Sequence, residues 1–239
     1  MNAPTNSSLI DPQSSVASIV LAHSETARLF QELRIDFCCK GEQSLTFACA
    51  SRKLPLADVI SALSDTISAR GDVADVAPVH TRSQADLVQF IVDTHHAYLR
   101  ESLPFIGGLA AKVARVHGDR NPRLEIVKTL VDALTEALVP HLEYEEVTLF
   151  PAILAAKPES SALADEVVKM KEEHLAVGEL LGRLRDETDS FSPPDWACTS
   201  YRTLFAELER LELDTLRHVH LENHVLVGHL SVNGGEARS

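Results

Sequence analysis

The stretch LEIVKTLVDALTEALVPHLEYEE, residues 124–146, decides the fold. Its apolar residues recur at steps of three and four, the spacing of a helix with one buried face. This spacing runs through Leu124, Val127, Val131, Leu134 and Leu138, and its next two places are taken by His141 and Glu145. The pattern predicts a long helix whose buried face ends in an imidazole and a carboxylate.

Three further segments repeat the pattern. The segment before it has its buried positions at Val92, His96, Leu99, Leu103, Ile106, Ala110 and Val113. The two segments after it have theirs at Leu163, Val167, Met170, His174, Val177, Leu181 and Leu184, and at Leu204, Leu208, Leu211, Thr215, His218, Glu222 and Val225. Short breaks with Gly, Pro and helix-capping residues separate the segments, which favours antiparallel neighbours. The sequence therefore predicts an all-α fold, an up-down-up-down four-helix bundle.

The chain divides into four predicted parts. Residues 1–15 are polar and are expected to form a loose N-terminus. Residues 16–70 have helical spacing on both sides of a turn, which indicates a small helical N-terminal domain that contains Cys38 and Cys39. Residues 71–83 combine Gly, Pro and weak periodicity, so they are predicted to be a linker. The bundle is expected to occupy residues 84–231.

Composition excludes several classes of partner. The chain has 239 residues, of which 45% are hydrophobic, so it can bury a core without disulfides. A net charge of −13 argues against nucleic acid or an anionic membrane surface, since both need a basic face. No apolar run reaches the length of about 18 residues that spans a bilayer, and the start lacks the pattern of a secretory signal. We therefore expect a cytoplasmic protein with no nucleic-acid or membrane partner.

Six polar residues interrupt the four buried faces. They are His96, His141, Glu145, His174, His218 and Glu222. A buried imidazole or carboxylate must be hydrogen-bonded, paired or bound to a metal, because leaving it unpaired costs several kcal/mol. One alternative is that each histidine is a satisfied core residue, and histidine–glutamate pairs at this spacing arise by chance about as often as here. Their placement along the helices decides between these readings.

In an antiparallel bundle, residues equally far from a turn lie at the same height. His96 and His141 lie about 22 and about 20 residues from the first break, within one helical turn of about 5 Å. Glu145 and His174 also match across the second break, whereas His174 and His218 match less well across the third. The four-residue spacing places each glutamate over its histidine. We therefore expect the six side chains to converge at one depth.

This donor set indicates the kind of metal. Imidazoles and carboxylates without thiolate fit iron or manganese better than a structural zinc site. Six ligands with two carboxylates able to bridge suit two metals about 3.5 to 4 Å apart. We predict a carboxylate-bridged centre of two non-heme iron ions, with manganese as the alternative metal.

Two other histidines of the first segment need separate placement. His96 continues the apolar spacing and is the preferred ligand, while its neighbour His95 stays an alternative. His117 lies three heptads beyond His96, which is about 31 Å along a continuous helix. We expect His117 to lie at the helix end and to interact with free carbonyls there.

Several motifs resemble those of hemerythrin-like bundles, and more closely those of the iron-sulfur cluster repair di-iron proteins. They are DFCCKGEQSL (36–45), RESLP (100–104), HLEYEEVTLFP (141–151), EEH (172–174), PPDWACT (193–199) and HVHLENHVL (218–226). The resemblance covers nearly the whole chain. It implies the same ligands that the buried faces indicate: His96, His141, Glu145, His174, His218 and Glu222.

The resemblance also implies a function. It points to a stress-response protein that repairs iron-sulfur clusters damaged by nitric oxide or oxidants, by supplying iron to client proteins. The oxygen-carrying hemerythrins place a further histidine where this chain has Gly178, which favours small-ligand reactivity or metal release over O₂ storage. Two alternatives stay open: a nitric oxide reductase at the di-iron centre, and a non-catalytic sensor of O₂ or NO. Whether the chain is an enzyme is therefore open, and a homodimer is among the open oligomeric states.

The adjacent Cys38 and Cys39 have two possible roles. They could pack as small apolar residues beside Phe37, or they could relay electrons or hold iron during transfer. The resemblance favours a functional role for the pair. Cys49 and Cys198 are expected to be buried small residues. Four cysteines in a chain of this size favour a reducing compartment over a disulfide framework.

Overall fold

The computed structural model describes residues 10–69, 81–155 and 161–228. These residues fall into two compact units, divided between Arg82 and Ser83. Parts of the predicted segments lie outside the described residues, namely 1–9 of the N-terminus, 70–80 around the linker, and 156–160 and 229–231 of the bundle. The predicted domain bounds therefore stay predictions. Within the described ranges, no helix is long and apolar enough to cross a bilayer.

The described part of the N-terminal unit is helical. Its helices are α1 (Val16–Ala22), α2 (Thr26–Glu32), α3 (Leu45–Ser51) and α4 (Leu56–Ala69). Ser15 and Ser44 cap α1 and α3, because each hydroxyl accepts a hydrogen bond from the backbone N–H three residues further on. An antiparallel bridge pairs these two serines and so joins the starts of the two helices.

The loop between α2 and α3 carries the two adjacent cysteines, and backbone hydrogen bonds hold it at both ends. The Ile35 N–H donates to the Phe30 carbonyl at 2.8 Å, and the Ala17 N–H donates to the Gly41 carbonyl at 2.9 Å. Between these anchors, Phe37 is buried in the core of the unit. The loop is therefore a fixed part of the small domain.

The described part of the C-terminal unit consists of four helical rods, three of which contain a π-helical turn. The first rod is α5 (Gln84–Ile91), the π turn Val92–His96 and α6 (Ala97–His117). The second is α7 (Arg123–Tyr144), the π turn Glu145–Leu149 and α8 (Phe150–Ala155). The third is α9 (Ser161–Glu187), and the fourth is α10 (Thr199–His220) with the π turn Leu221–Leu226.

The rods pack in a closed ring. Helix α6 packs against α7 and α10, and α9 packs against the same two helices. Because short connections join consecutive rods, neighbours in the ring are antiparallel. The predicted all-α, up-down-up-down four-helix bundle with a helical N-terminal module is confirmed.

Most of the bundle core is apolar and follows the predicted buried faces. Leu99, Leu134, Leu181 and Leu208 are among its fully buried residues, one from each rod. Three predicted core positions are only half-buried: Val92, Leu163 and Val167. Val92 begins the first π turn, and the other two lie in the first turns of α9, so all three lie outside the regular stretch of the core.

Candidate metal centre

The π turns lie where the rods carry the predicted ligands. His96 ends the first π turn, Glu145 begins the second, and Glu222 lies in the third. Backbone hydrogen bonds in a π turn span five residues instead of four, so each turn holds more residues and rotates the next part of the helix about its axis. This rotation broadens the buried face, and both His95 and His96 are buried as a result.

The structure brings the six predicted side chains together in the bundle interior. Their exposed fractions are His96 0%, His141 7%, Glu145 0%, His174 1%, His218 1% and Glu222 0%. Their donor atoms form two groups, each with all atoms within 4.8 Å of one another. His96 and His218 belong to one group, His141 and His174 belong to the other, and the two glutamates belong to both.

In the first group, the two imidazoles face each other across a short gap. The Nε2 atoms of His96 and His218 are 3.1 Å apart. The Oε1 atom of Glu222 lies 2.8 Å from the His218 Nε2, and the Oε2 atom of Glu145 lies 3.5 Å from the His96 Nε2. Two ligands about 2.1 Å from one metal ion at a right angle are about 3 Å apart, so this spacing suits neighbouring ligands.

The second group repeats the first with the other carboxylate oxygens. The Nε2 atoms of His141 and His174 are also 3.1 Å apart. The Oε1 atom of Glu145 lies 3.2 Å from the His141 Nε2, and the Oε2 atom of Glu222 lies 3.2 Å from the His174 Nε2. Each glutamate therefore directs one oxygen to each group, which is the arrangement of a bridging carboxylate.

Acceptors outside the two groups orient three of the imidazoles. The Nδ1 atoms of His96 and His141 lie 2.7 Å from carboxylate oxygens of Glu146 and Glu173. The Nδ1 of His174 lies 3.0 Å from the side-chain oxygen of Asn223. Because an N–H at Nδ1 donates to these oxygens, the lone pair of a neutral imidazole at Nε2 points to the centre.

The fourth imidazole lacks such support. The buried Nδ1 atom of His218 has no hydrogen-bond partner among the described residues. In the group of His96 and His218, an outer acceptor therefore orients only the His96 imidazole. In the other group, outer acceptors orient both imidazoles.

The carboxylates are incompletely satisfied. Both oxygens of Glu145 and the Oε2 of Glu222 are buried and accept no hydrogen bond from the part of the chain that the structure describes. A buried carboxylate oxygen without a partner is costly, and a bound cation removes that cost. These oxygens and the imidazole nitrogens fit a metal site, and the lack of thiolate fits iron or manganese.

Neighbouring charges shift the pKa values of Glu222 and His141 against the effect of burial. Burial would raise the pKa of Glu222, but His218, His174 and His96 outweigh burial and hold it well below its usual value. Burial would lower the pKa of His141, but Glu145 and the charge of Glu222 raise it to about 9. Protons and metal ions therefore compete for the His141 imidazole.

His95 lies beside the centre and outside both groups. Its Nδ1 atom is 3.0 Å from the Oδ1 of Asp214, and its ring lies parallel to that of His218 at 5.7 Å. Of the two adjacent histidines, only His96 has a donor atom in the cluster.

His117 lies at the C-terminal end of α6, as the distance argument predicts, but its partner differs from the expected carbonyls. Its Nε2 atom is 3.2 Å from the Sγ of Cys198, and its ring contacts Trp196 and Tyr201. The expected burial of Cys198 is wrong, since this thiol is exposed just before α10, whereas Cys49 is buried.

The adjacent cysteines form a second cluster of potential ligands in the N-terminal unit. Their Sγ atoms are 3.5 Å apart and form no disulfide. The Oδ1 of Asp36 accepts hydrogen bonds from the backbone N–H groups of Cys38 and Cys39, at 3.1 and 2.8 Å. The hydrogen bond to Cys39, burial and the charge of Asp36 raise the pKa of the Cys38 thiol well above its usual value.

Sequence reasoning missed four polar residues that the structure places beside the two clusters. They are Asp36, Glu146, Glu173 and Asn223. Each lies inside or at the start of one of the sequence motifs, next to or near a predicted ligand. The motifs therefore contained these four residues, although helical spacing alone gave no reason to single them out.

The fold and the site define a hemerythrin-like cation-binding bundle. The hemerythrin HHE cation binding domain matches residues 88–230, and a domain of unknown function called ScdA_N matches residues 12–66. The chain is 30% identical to the iron-sulfur cluster repair protein ScdA of Staphylococcus haemolyticus over 225 residues, which are 93% of this chain and 100% of ScdA.

A second group of relatives gives the same result. Identity with the iron-sulfur cluster repair protein YtfE of Yersinia pseudotuberculosis is 32% over 213 residues, 89% of this chain and 94% of YtfE. Yersinia pestis YtfE matches with the same identity and coverage. The chain belongs to the family of iron-sulfur cluster repair proteins.

Proposed function

We propose that this chain repairs damaged iron-sulfur clusters by supplying iron to client proteins, and that its bundle holds two iron ions. The observation that carries the proposal is the pair of donor groups that share Glu145 and Glu222. Relatives that cover both domains are named iron-sulfur cluster repair proteins, which favours repair over nitric oxide reduction or O₂ and NO sensing.

The six side chains would be the ligands of two ions. His96 and His218 would hold one ion, and His141 and His174 the other. Glu145 and Glu222 would bridge them, because each already directs one oxygen to each group. Iron bound there supplies a redox-active and exchangeable cation.

The residues around the centre support loading with cations. Glu146, Glu173 and Asn223 accept the Nδ1 protons and so direct three Nε2 lone pairs inward. The two buried carboxylates add negative charge that only a cation or protons can neutralise. The protein therefore binds positive ions at this depth and holds the ligands ready for them.

The donor count favours exchange over permanent storage. Each ion would receive two imidazoles and two carboxylate oxygens, which leaves coordination positions open on iron. Gly178, one turn after His174 in α9, adds no side chain to this set. A centre with open positions can pass its metal to another ligand, as iron supply requires.

The test is transfer of labelled iron. The chain is loaded with ⁵⁷Fe and mixed with an enzyme whose activity depends on a [4Fe–4S] cluster, after nitric oxide has inactivated that enzyme. We expect the enzyme to regain activity and to contain ⁵⁷Fe in its cluster. Glu145→Ala should deliver no iron, while Glu143→Ala, at an exposed position of the same rod, should behave like the parent.

Two outcomes would contradict the proposal. One is recovery of the enzyme without ⁵⁷Fe in its cluster, and the other is equal delivery by Glu145→Ala. Nitrous oxide formed from nitric oxide over many turnovers would instead support the reductase alternative. A change in partner binding upon ligand addition, with all iron retained, would support the sensor alternative.

A further inference from the structure

We propose that Asp36, Cys38 and Cys39 form a second metal site, separate from the bundle centre, that binds a thiophilic divalent cation. The site itself is inferred from the geometry of the N-terminal unit alone. Only the assignment of ferrous iron as its natural occupant, during delivery to a client, rests on the proposed repair function.

The spacing of the donor atoms fits a tetrahedral ion. A metal–thiolate bond of about 2.3 Å and a tetrahedral angle place two sulfurs about 3.8 Å apart, and an oxygen bound at about 2.1 Å lies about 3.6 Å from each sulfur. The observed separations are 3.5 Å between the two Sγ atoms and 3.4 Å between the Cys38 Sγ and the Asp36 Oδ1. The two sulfurs and a carboxylate oxygen of Asp36 all lie within 4.8 Å of one another, which is close enough to bind one ion.

The two thiols have little competing use as a disulfide. Adjacent residues have Cα atoms about 3.8 Å apart, which is shorter than the separation of about 4.4 Å or more that a relaxed disulfide needs. The thiols accordingly lie side by side without a bond between them. In a reducing compartment, the pair is available as a two-thiol ligand.

The surrounding loop holds the ligands in place. Backbone hydrogen bonds of Ile35 and Gly41 anchor it on both sides, and Phe37 is buried between them. The Asp36 carboxylate is positioned by the N–H groups of the two cysteines. A metal could therefore bind without rearranging the backbone, which lowers the cost of binding.

One side of the cluster faces the interior and the other faces solvent. Cys38 is 2% exposed, while Asp36 and Cys39 are partly exposed. Three protein ligands would leave the fourth tetrahedral position for water or for a ligand from another protein. Binding would release the two thiol protons to solvent, since the thiolate is the metal ligand. Such an open site suits transfer better than storage.

Cobalt(II) is the probe of choice for this site, because thiolate-bound cobalt gives an intense charge-transfer absorption. The full-length chain is freed of metal, reduced and titrated with Co²⁺ without oxygen. The bundle groups contain only imidazole and carboxylate donors, so cobalt there gives no such band. We expect a thiolate band that saturates at one cobalt per chain, with a second, weaker set of spectral changes from the bundle.

Variants separate the three ligands from their surroundings. Cys38→Ser and Cys39→Ser should each lose most of the band. Asp36→Asn keeps an oxygen that can accept the two backbone hydrogen bonds but removes the charge, so we expect at least tenfold weaker cobalt binding with an unchanged unfolding midpoint. Cys198→Ser, at the exposed thiol of the other unit, should titrate like the parent.

Two results would overturn the site: no thiolate band in the parent, or identical titrations for the parent and Asp36→Asn. His174→Ala separates the site from the bundle, since it should lose bundle metal and keep the full thiolate band. The assignment of iron is tested by the ⁵⁷Fe transfer assay. There, Asp36→Asn should deliver iron several-fold more slowly with its bundle iron intact, and delivery at the parent rate would overturn that assignment.

Discussion

The two ends of the bundle use the same four rods for different purposes. Around the C-terminal end of α6, regular α-helices pack residues such as Val113, Leu124 and Leu184 into an apolar core. At the other end, three rods carry π turns, and imidazoles and carboxylates replace the apolar residues. One end therefore stabilises the bundle through burial, whereas the other end gives up apolar burial in order to hold charge.

Two buried carboxylates of the bundle, Glu212 and Glu145, differ in how their charge is balanced. Arg185 and Glu212 form a buried ion pair in which the Arg185 Nε lies 2.9 and 3.0 Å from the two carboxylate oxygens. The guanidinium of Arg185 therefore neutralises the Glu212 carboxylate. Glu145 is equally buried, yet neither of its oxygens accepts a hydrogen bond from the described residues. The Glu145 oxygens face imidazole nitrogens of His141 and His96 instead of a guanidinium, which fits a carboxylate that binds a metal ion.

The largest expected effect is at the shared ligand. Glu145→Ala removes one oxygen from each donor group, so we expect the metal content to fall from two ions per chain to none. Metal analysis of carefully loaded protein measures this directly. Glu143→Ala is the matched control on the same rod, and a Glu145→Ala protein that keeps its metal would end the bridging assignment.

A substitution in the apolar core should lower the stability of the bundle and leave its metal content unchanged. Leu134 is fully buried between the rods, and Leu134→Ala should lower the free energy of unfolding by about 2 to 5 kcal/mol. Its metal content should equal that of the parent. Urea unfolding of the metal-free proteins gives the comparison.

In the same unfolding assay, metal-free Glu145→Ala should lose less stability than Leu134→Ala, since His141 can release its proton once the carboxylate is gone, whereas the cavity left by Leu134 cannot be filled. Equal destabilisation by the two changes would mean that the two ends of the bundle do not differ as described.

The outer acceptors should have a smaller, graded effect. Glu173→Gln weakens the acceptor that orients His141, so we expect metal affinity to fall by about 10- to 100-fold with the fold unchanged. A competition titration with a chelator measures the affinity. Glu172→Gln, at the exposed neighbouring position, is the control, and identical affinities for the two variants would show that the outer contact has no role in binding.

The smallest effect is expected at the far end of α6. His117→Ala loses contacts with Cys198 and Trp196, so it should change stability by at most about 1 kcal/mol and leave both metals bound. His96→Ala is the matched comparison on the same rod, because it removes a donor atom from the cluster. The metal content of both variants tests this prediction. Similar metal losses in the two variants would mean that the two ends of the bundle are not independent.

The sequence predicted the bundle and the convergence of its polar residues because both depend on helical spacing. Steps of three and four placed Leu134, His141 and Glu145 on one face, and the structure buries all three. The spacing could not predict the π turns, since one extra residue per turn leaves no compositional mark. It therefore gave no reason to expect that His95 is buried as well as His96.

The outer acceptors were beyond the reach of spacing for a different reason. Glu146 and Glu173 are partly exposed carboxylates among many on a chain of net charge −13, and only the three-dimensional contact with an Nδ1 atom distinguishes them. Asp36 likewise looks like an ordinary turn residue until its oxygen is placed beside the Cys38 sulfur. A residue whose role depends on a single contact between distant or irregular segments can be recognised only once the three-dimensional structure is known.

The most direct test is iron analysis combined with Mössbauer spectroscopy of the ⁵⁷Fe-loaded chain. If Glu145 and Glu222 connect two metal positions, the parent protein should contain two irons per chain in one spin-coupled pair. One iron per chain, or two irons that behave as magnetically independent ions, would contradict a centre built on shared carboxylates.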